Sequence, residues 1–586
     1  MILPLLKTRF ADALQTLASD ADAYLDMIRP SQDPKFGDYQ ANMAMPLAKK
    51  LGKPPREIAL QIVEQLDIAD ICSPPEIAGP GFINLRLNDD CIQTLLHSAI
   101  ADGERLAIPN VDSNKRKTYL VDYSGPNVAK PMHVGHIRST VIGNALARML
   151  RFQGHHVITD NHLGDWGTQF GMIIFGYKNY LDADAYQKNP VDELSRLYRF
   201  VRQKMDEEPQ PESINAAVLR ETAKLHAGDP ENLKIWQEVL PHSQDEIKRI
   251  YQRLQIAFDH TLGESFYQPM LGKVVDNLLQ RKIAVETEGA VGIFFNQEKV
   301  PMLIRKSDGA FLYGTTDLAT VEYRLDTFKP DAVLYVVDFR QSQHFDHLFK
   351  AVRLMGVDDV ELTHVKFGTV LGEDGKPFKT RSGDTVGLNG LLDEAERRAY
   401  EIVKENDKDN TPEPELRETA RRIGIGAIIY ADLSQNRESD YVFSYDKMLA
   451  MTGNTATYMQ YAYARVRSIF SKGNVDVENL RNTVSRTVLR DVQGAVANSH
   501  PAERALALEL LKFGEAIDLA VRDYRPNVLT SYLFELANRY SAFFEQCPVL
   551  KAEDAVRTGR LLLCDLTART LQKGLELLGI ETVERM

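Results

Sequence analysis

Cysteine is scarce in this sequence, whose 586 residues include only Cys72, Cys91, Cys547 and Cys564. The four cysteines are scattered, and no two of them form a CxxC pair. Their scarcity argues against a framework of disulfide bonds and against a cysteine-rich zinc site. It suits the reducing cytoplasm, and we expect a cytoplasmic protein.

Long hydrophobic runs, internal repeats and low-complexity tracts are also absent. No apolar run approaches the roughly 20 residues that a membrane-spanning helix needs. The first 14 residues are charged too early to form a signal peptide. Hydrophobic residues make up 44% of the chain and charged residues 26%. These values predict a soluble globular protein of about three or four domains, with no membrane partner.

The net charge of −12 gives no sign of a nucleic-acid partner by itself. Residues 451–586 hold 17 Lys and Arg against 16 Asp and Glu, a balance of +1 that leaves −13 for residues 1–450. A nucleic-acid-binding protein needs local basic faces and not a basic total. The charge therefore permits such a partner without identifying it.

A strand, a helix and a second strand follow one another in the first third of the chain. Residues 118–123 (TYLVDY) and 156–159 (HVIT) predict short strands. Between them, apolar residues recur with helical spacing over about 136–151, and Gly154 ends this helix. The pattern predicts a βαβ unit. The turn into its helix lies in SGPNVAKPMHVGHIRST, residues 124–140.

Two histidines and a glycine lie where this strand passes into the helix. The free N–H groups and the dipole of a helix N-terminus favour phosphate. Gly135 has no side chain, and an adenine ring could therefore approach the backbone closely. His133 and His136 can each donate a hydrogen bond to phosphate oxygens as charge develops. The turn therefore predicts a site for nucleotide phosphates.

This turn resembles that of a known family. HVGH, residues 133–136, is a variant of the HIGH signature of class I aminoacyl-tRNA synthetases, and the longer string is similar to bacterial arginyl-tRNA synthetases in particular. The resemblance covers essentially the whole chain. It implies an α/β protein with a Rossmann-type class I catalytic domain, an amino-terminal α/β module and a carboxy-terminal all-helical anticodon-binding domain.

The resemblance also implies a reaction. ATP, accompanied by Mg²⁺, would activate L-arginine to arginyl-adenylate with release of diphosphate. The arginyl group would then pass to the 3′-terminal adenosine of tRNA(Arg), and AMP would be released. Members of the family typically need bound tRNA before they activate the amino acid efficiently. We expect the same here, from a monomer without zinc.

Composition and resemblance together divide the chain into five parts. The amino-terminal module would bind the corner of the tRNA near its D-loop. The expected parts are this module (residues 1–90), a linker (91–117), the catalytic domain (118–400, with a helical insertion at about 182–250), a helical connection (401–453) and the anticodon-binding domain (454–586).

Further strands are expected at residues 291–295, 301–305 and 332–337, where the nucleotide-binding pattern resumes. The last of them is an almost continuous apolar run, which is typical of a strand buried on both faces. From about residue 411 onward we expect only helices.

A second phosphate loop, of the KMSKS type, is expected downstream of the first. The candidate is KPFKTRSG, residues 376–383, which would clamp the leaving diphosphate. This string departs from KMSKS. By resemblance to arginyl enzymes with a degenerate loop, Lys130 would supply the missing cation. The other residues expected to act on ATP are Lys379, Thr380, Arg381 and His344.

Arginine as a substrate requires acidic partners. Its guanidinium is planar and permanently charged, and carboxylates in fork geometry hold it best. By resemblance, Asp122 and Asp317 would face the guanidinium, and Tyr313 would pack over the aliphatic side chain. Further polar contacts to the substrate are expected from Ser124, Asn127, His133 and Gln341.

Two segments predict contacts with RNA. Tyr458, Tyr461 and Arg465 recur at i, i+3 and i+7 and lie on one helix face, where unstacked bases could stack. For an arbitrary helix such a stripe is more often core, but the resemblance favours the anticodon. Near the amino terminus, Tyr39 offers a stacking face. The remaining residues expected to contact tRNA are Gln40, Asn42, Phe544 and Met586.

Two alternatives remain open at the level of sequence. One is a class I synthetase for another amino acid, such as glutamate or cysteine. The paired acids argue against glutamate, and the missing cysteine ligands argue against a zinc-dependent cysteine enzyme. The other is a catalytically silent RNA-binding paralogue, which the intact His133, His136 and Lys130 oppose.

Overall fold

The computed structural model describes residues 1–15, 17–207, 214–295, 300–378, 386–407, 410–486 and 500–586. The amino-terminal module is a four-stranded antiparallel sheet in the order β1-β2-β4-β3, covered by helices. Helix α1 buries Ile2, Leu6, Phe10 and Leu14, the stripe that a four-residue spacing produces. The elements are α1 (Ile2–Leu14), β1 (Ile28–Pro30), β2 (Tyr39–Ala41), α2 (Ala44–Leu51), α3 (Pro55–Gln65), β3 (Glu76–Ala78), β4 (Phe82–Leu85) and α4 (Asp89–Ala101).

The catalytic region is built on a parallel sheet in the order β11-β10-β5-β6. Its βαβ unit lies within two residues of the predicted bounds. The elements up to the helical insertion are β5 (Thr118–Asp122), α5 (Val134–Phe152), β6 (His156–Asp160), α6 (Thr168–Tyr180), α7 (Ala183–Lys188), α8 (Pro190–Glu207), α9 (Ile214–His226) and α10 (Pro230–Arg253).

A second, antiparallel sheet follows the insertion. The strands predicted at 291–295 and 301–305 form the sheet β7-β8-β9 and do not join the parallel sheet. Strand β9 alternates buried and exposed residues, whereas β10 is buried throughout, as expected of a strand whose sheet is covered on both faces. The elements here are α11 (Glu264–Tyr267), α12 (Leu271–Gln280), β7 (Ala284–Thr287), β8 (Ala290–Ile293), β9 (Met302–Arg305), α13 (Tyr313–Phe328), β10 (Ala332–Tyr335), α14 (Ser342–Leu354) and β11 (Glu361–His364).

The rest of the described chain is almost wholly helical. One short strand departs from that expectation, because β13 pairs in parallel with β12. The elements are β12 (Val370–Leu371), α15 (Leu388–Asn406), α16 (Glu413–Leu433), β13 (Tyr441–Val442), α17 (Tyr445–Met448), α18 (Ala456–Gly473), α19 (Val477–Arg486), α20 (Pro501–Leu511), α21 (Phe513–Arg522), α22 (Pro526–Gln546) and α23 (Asp554–Leu577).

Helix α5 lies at the centre of the molecule and is buried on most sides. Its polar residues therefore make internal contacts. Arg138 pairs with the buried Asp432 of α16, at 3.1 Å between Nε and Oδ2. Nearer the end of the helix, Arg148 donates to the carbonyl of Glu576 in α23 at 3.3 Å. The helix that begins at HVGH is thus bonded both to the helical connection and to the helical domain.

Candidate active site

The site lies at the carboxyl ends of β5 and β10. Strand β5 is followed by α5 and then by β6 on one side, while β10 pairs with β5 on the other side. The strand order thus changes direction between β5 and β10. In open parallel sheets the crevice at such a point is where ligands bind.

His133 and His136 cap the N-terminus of α5 together. Nδ1 of His133 accepts a hydrogen bond from the N–H of Gly135 at 3.1 Å. The backbone N–H of His133 donates in turn to Nδ1 of His136, also at 3.1 Å. Because both Nδ1 atoms accept, each neutral imidazole carries its proton on Nε2. Each ring therefore keeps one N–H donor for a ligand.

The surroundings keep both imidazoles neutral. Burial, together with the charges of His133 and Lys130, lowers the pKa of His136 to about 3. Burial also lowers the pKa of His133, with further contributions from Lys130 and Arg340. Two cationic side chains thus lie near two neutral donors at a helix N-terminus. This arrangement suits a polyphosphate.

Gly135 is exposed, and its missing side chain has a clear structural reason. A Cβ atom here would lie 2.9 Å from Cε1 of His133, closer than such contacts normally come. Glycine is therefore required for the ring of His133 to fold back over the helix. The same absence leaves the backbone open to a ligand.

The described residues on both sides of the second signature segment make defined contacts, and those after it lie beside the first signature. Leu371 bridges Pro377, and Phe378 packs on Phe443 with ring centroids 4.9 Å apart. After the segment, the N–H of Leu388 donates to the carbonyl of Met132 at 2.8 Å. Three predicted site residues of this segment lie outside the described residues: Lys379, Thr380 and Arg381. Lys130 is described, and its Nζ lies 5.6 Å from the ring centre of Tyr198 in α8.

Asp317 and His344, predicted for different substrates, are in direct contact. Nε2 of His344 and Oδ2 of Asp317 are 2.5 Å apart, and this hydrogen bond raises the pKa of His344. Tyr313 begins α13 one turn earlier and is 64% exposed. Gln341 is exposed at the start of α14. Helices α13 and α14 therefore place these predicted residues at one end of the sheet.

Glu264 is a functional candidate that the sequence reasoning missed. Burial, with the charges of Asp165 and Asp317, raises the pKa of this carboxyl to about 7. Such a cluster of carboxylates favours a bound cation. Glu264 begins the four-residue helix α11 and belongs to no motif. Nothing in the local sequence could have singled it out.

The prediction that Asp122 faces the guanidinium of the substrate does not agree with the structure. The carboxylate of Asp122 is already paired inside the protein, because Nη2 of Arg324 donates to Asp122 Oδ2 at 2.7 Å. The same guanidinium bonds to Asp160. The sequence prediction failed here because Arg324 lies about 200 residues away in the chain, and no local pattern shows that it is the partner.

Ser124 and Asn127 also have internal partners. The buried hydroxyl of Ser124 lies 2.8 Å from both Thr140 Oγ1 and Tyr251 OH. The side chain of Asn127 covers Gly164, where a Cβ atom would lie 2.2 Å from Asn127 Oδ1. Both residues therefore shape the wall of the site. The contact of Ser124 with substrate stays a prediction.

The amino-terminal strip divides into two faces, as strand geometry requires. Tyr39 is fully buried, and its hydroxyl lies 2.9 Å from Glu515 Oε1 in the helical domain. A stacking role for Tyr39 is therefore wrong in this structure, because the ring has no exposed face. Gln40 and Asn42 are half-buried, and Gln40 Nε2 donates to Asn84 at 2.8 Å.

The helical domain presents the predicted aromatic face. Tyr458, Tyr461 and Arg465 are half-buried, while the residues between them are mostly buried. The guanidinium of Arg465 lies over the ring of Phe544 at 4.4 Å. Met586 packs partly buried against the main core. This surface keeps one arginine and three aromatic rings accessible from the same side of α18 and α22.

Within the described residues, no group of three or more His, Cys, Asp or Glu side chains could hold a metal ion. No helix in that part of the chain is long and apolar enough to cross a bilayer.

A parallel sheet that leads into a histidine-capped helix fits the catalytic domain of a class I aminoacyl-tRNA synthetase. Family models agree: "tRNA synthetases class I (R), catalytic domain" matches residues 96–445. The "Arginyl tRNA synthetase N terminal domain" matches residues 4–87, and the "DALR anticodon binding domain" matches 459–586. The chain belongs to the arginyl-tRNA synthetase family.

Relatives and solved structures agree over the full length. An arginine--tRNA ligase of Rhodopirellula baltica is 46% identical, covering 99% of both chains. One from Nostoc punctiforme is 45% identical with the same coverage. The Plasmodium falciparum arginyl-tRNA synthetase structure has a TM-score of 0.84 at 30% identity, covering 100% of this chain and 99% of its own. That of Thermus thermophilus has 0.83 at 26%, with 100% of both covered. The predicted fold class is confirmed, and the chain is a ligase.

Proposed function

We propose that this arginine--tRNA ligase divides its two substrates between two regions of opposite charge. ATP phosphates lie against the histidine cap, Lys130 and Arg340. The guanidinium of L-arginine lies against Asp317 and Glu264. The observation that carries the proposal is the raised pKa of Glu264, since this carboxyl lies among like charges and gains most from a bound cation.

In the first step, a carboxylate oxygen of arginine attacks the α-phosphorus of ATP. The bond from that phosphorus to the bridging oxygen breaks, and diphosphate leaves with the electron pair. The N–H donors of His133 and His136 stabilise the charge that builds on the phosphate oxygens. The catalysis is mainly positioning and electrostatic stabilisation, and no side chain needs to act as a general base.

In the second step, the 2′-hydroxyl of the terminal tRNA adenosine attacks the arginyl carbonyl carbon and gives up its proton. The bond from that carbon to the phosphate oxygen breaks, and AMP leaves with the electron pair. The aromatic face of Tyr458, Tyr461, Arg465 and Phe544 holds anticodon bases by stacking and cation–π contact. Gln40 and Asn42 contact the corner of the same tRNA. The enzyme works as a monomer in the cytoplasm.

Mg²⁺ enters this proposal only as the ion that accompanies ATP. Among the described residues, no group of three or more His, Cys, Asp or Glu side chains has the arrangement to hold a metal ion. No step is therefore assigned to the ion.

ATP–diphosphate exchange with each amino acid, in the presence of total tRNA, tests the proposal. We expect exchange with arginine, and little with citrulline, which is neutral and leaves the carboxylates unpaired. Asp317→Asn should retain ATP binding and raise the KM for arginine. An unchanged KM in this variant would place the guanidinium elsewhere.

A further inference from the structure

Arg324 is a fully buried cation to which the proposed mechanism gives no part. Its side chain is 1% exposed. Nη2 donates to Asp122 Oδ2 and to Asp160 Oδ2, each at 2.7 Å, and Nε donates to Asp160 Oδ2 at 3.2 Å. The guanidinium also lies 5.7 Å from the ring centre of Tyr335. One side chain thus contacts the ends of strands β5, β6 and β10.

The two carboxylates need this cation. Asp122 and Asp160 are direct neighbours on parallel strands, because the register pairs them. Both are buried, and two adjacent buried carboxylates repel each other strongly when ionised. Arg324 compensates both. The guanidinium that reaches this pair of acids is therefore the protein's own.

The position of Arg324 in α13 connects the pair to substrate binding. Arg324 follows Asp317 by seven residues, about two helical turns, and the two side chains therefore lie on the same face. The apolar contacts of α13, such as those of Leu318 and Val321, are buried but carry no direction. The guanidinium fork is directional. It fixes both the rotation of α13 and its position along the axis.

Stability alone is a weak reason for this arrangement. Burying an ion pair removes charges from water at a cost that often equals the gain, and well-packed apolar residues can do as well. Directional hydrogen bonds from a guanidinium fix the orientation of a helix more strictly than apolar contacts do. We infer that Arg324 is a positioning residue for arginine capture, which holds α13 so that Asp317 and Tyr313 face the guanidinium of the substrate.

This inference rests on the proposed role of Asp317. The experiment measures the KM for arginine and the KM for ATP in diphosphate exchange with saturating tRNA. Arg324→Lys keeps the charge but cannot bridge two carboxylates in one plane. Asp160→Asn keeps the shape and removes one charge. We expect Arg324→Lys to raise the arginine KM at least about tenfold, and Asp160→Asn about threefold, with the ATP KM within about twofold.

Arg569→Lys is the matched control. Arg569 is also a buried arginine, bonded to Asp565 and to the end of α4, but it lies in the helical domain. The inference is wrong if the KM for ATP rises as much as the KM for arginine in Arg324→Lys and Asp160→Asn. It is also wrong if neither KM in these two variants differs from that of Arg569→Lys. Asp317→Asn separates the two claims. A raised arginine KM in that variant alone overturns only the role of Arg324, whereas no rise there overturns the proposed function itself.

Discussion

At the scale of single residues, the site is arranged by protonation state. Each histidine of the HVGH cap accepts at Nδ1 and keeps its Nε2 proton for a phosphate oxygen. Burial favours this neutral form, because a charged imidazole would lose its hydration. The opposite holds for Glu264, where burial among acids opposes ionisation until a cation arrives. The same physical cause therefore prepares a donor in one region and a cation site in the other.

The first prediction concerns the histidine cap. His136→Ala should lower the rate of adenylate formation about a hundred- to a thousandfold, because a donor to the transition state is lost. The dissociation constant for tRNA should change little. Single-turnover formation of arginyl-adenylate measures the first quantity, and filter binding of tRNA the second.

The same substitution also removes half of a helix cap. Loss of a cap costs about 0.5–2 kcal/mol of stability, and the melting temperature therefore has to be measured as a control. A rate equal to that of the wild type would refute the assignment of His136, whatever the melting temperature.

The second prediction concerns Glu264 and pH. With a pKa of about 7, this carboxyl is mostly protonated at pH 6 and mostly ionised at pH 8. A guanidinium binds the ionised form. The KM for arginine should therefore fall as the pH rises across this range, by up to about tenfold. His344 changes the KM for arginine in the same direction, since its protonated form pairs with Asp317 at low pH and competes with the substrate guanidinium.

Glu264→Gln supplies the control. This variant should have a higher arginine KM with a weaker dependence on pH, while the KM for ATP keeps its own pH dependence. Because the folded-state pKa is raised, ionisation of Glu264 costs the free protein stability as the pH rises from about 4.5 through 7. Glu264→Gln should therefore raise the melting temperature at pH 8 and leave it nearly unchanged at pH 4. An arginine KM with the same pH dependence in both proteins would exclude this role.

At the scale of elements, the sequence predicted those helices and strands that depend only on residues close together in the chain. The βαβ unit around HVGH was predicted closely, because strand propensity, helical periodicity and a glycine stop lie within 45 residues. The strands β8 and β9 were predicted as strands, but their sheet could not be predicted, because strand pairing depends on distant partners. The same reason explains Asp122. Its acidity is visible in the sequence, but its pairing with Arg324 depends on how α13 packs.

The third prediction concerns the two phosphate segments. Lys130 lies close enough for its charge to lower the pKa of both signature histidines. If it supplies the cation that the degenerate second signature lacks, Lys130→Ala should reduce adenylate formation about as much as His136→Ala. Lys379→Ala should be milder. The reverse order would show that the second segment works like an ordinary KMSKS loop.

At the scale of the whole molecule, polar contacts join the amino-terminal module to the helical domain. Arg504 of α20 forms a fork with Asp38, at 2.9 and 2.8 Å, and Tyr39 bonds to Glu515 of α21. The module and the anticodon-binding surface are therefore held in one geometry. A tRNA that contacts both must match a fixed spacing between them.

The last prediction separates domain docking from tRNA contact within residues 39–42 of the amino-terminal module. Asn42→Ala should raise the KM for tRNA by a factor corresponding to ~1–3 kcal/mol, as loss of a base contact does. Its melting temperature should not fall, because the buried Oδ1 of Asn42 has no hydrogen-bond partner among the described residues. Tyr39→Phe is the matched variant, since it removes only the hydroxyl that bonds to Glu515. It should lower the free energy of unfolding by about 1.5–3 kcal/mol, the net contribution of one charge-assisted hydrogen bond, and the melting temperature should fall accordingly. Its effect on the tRNA KM should be smaller. A lower melting temperature for Asn42→Ala with an unchanged tRNA KM would mean that this edge of the module is structural, and that the tRNA corner is bound elsewhere.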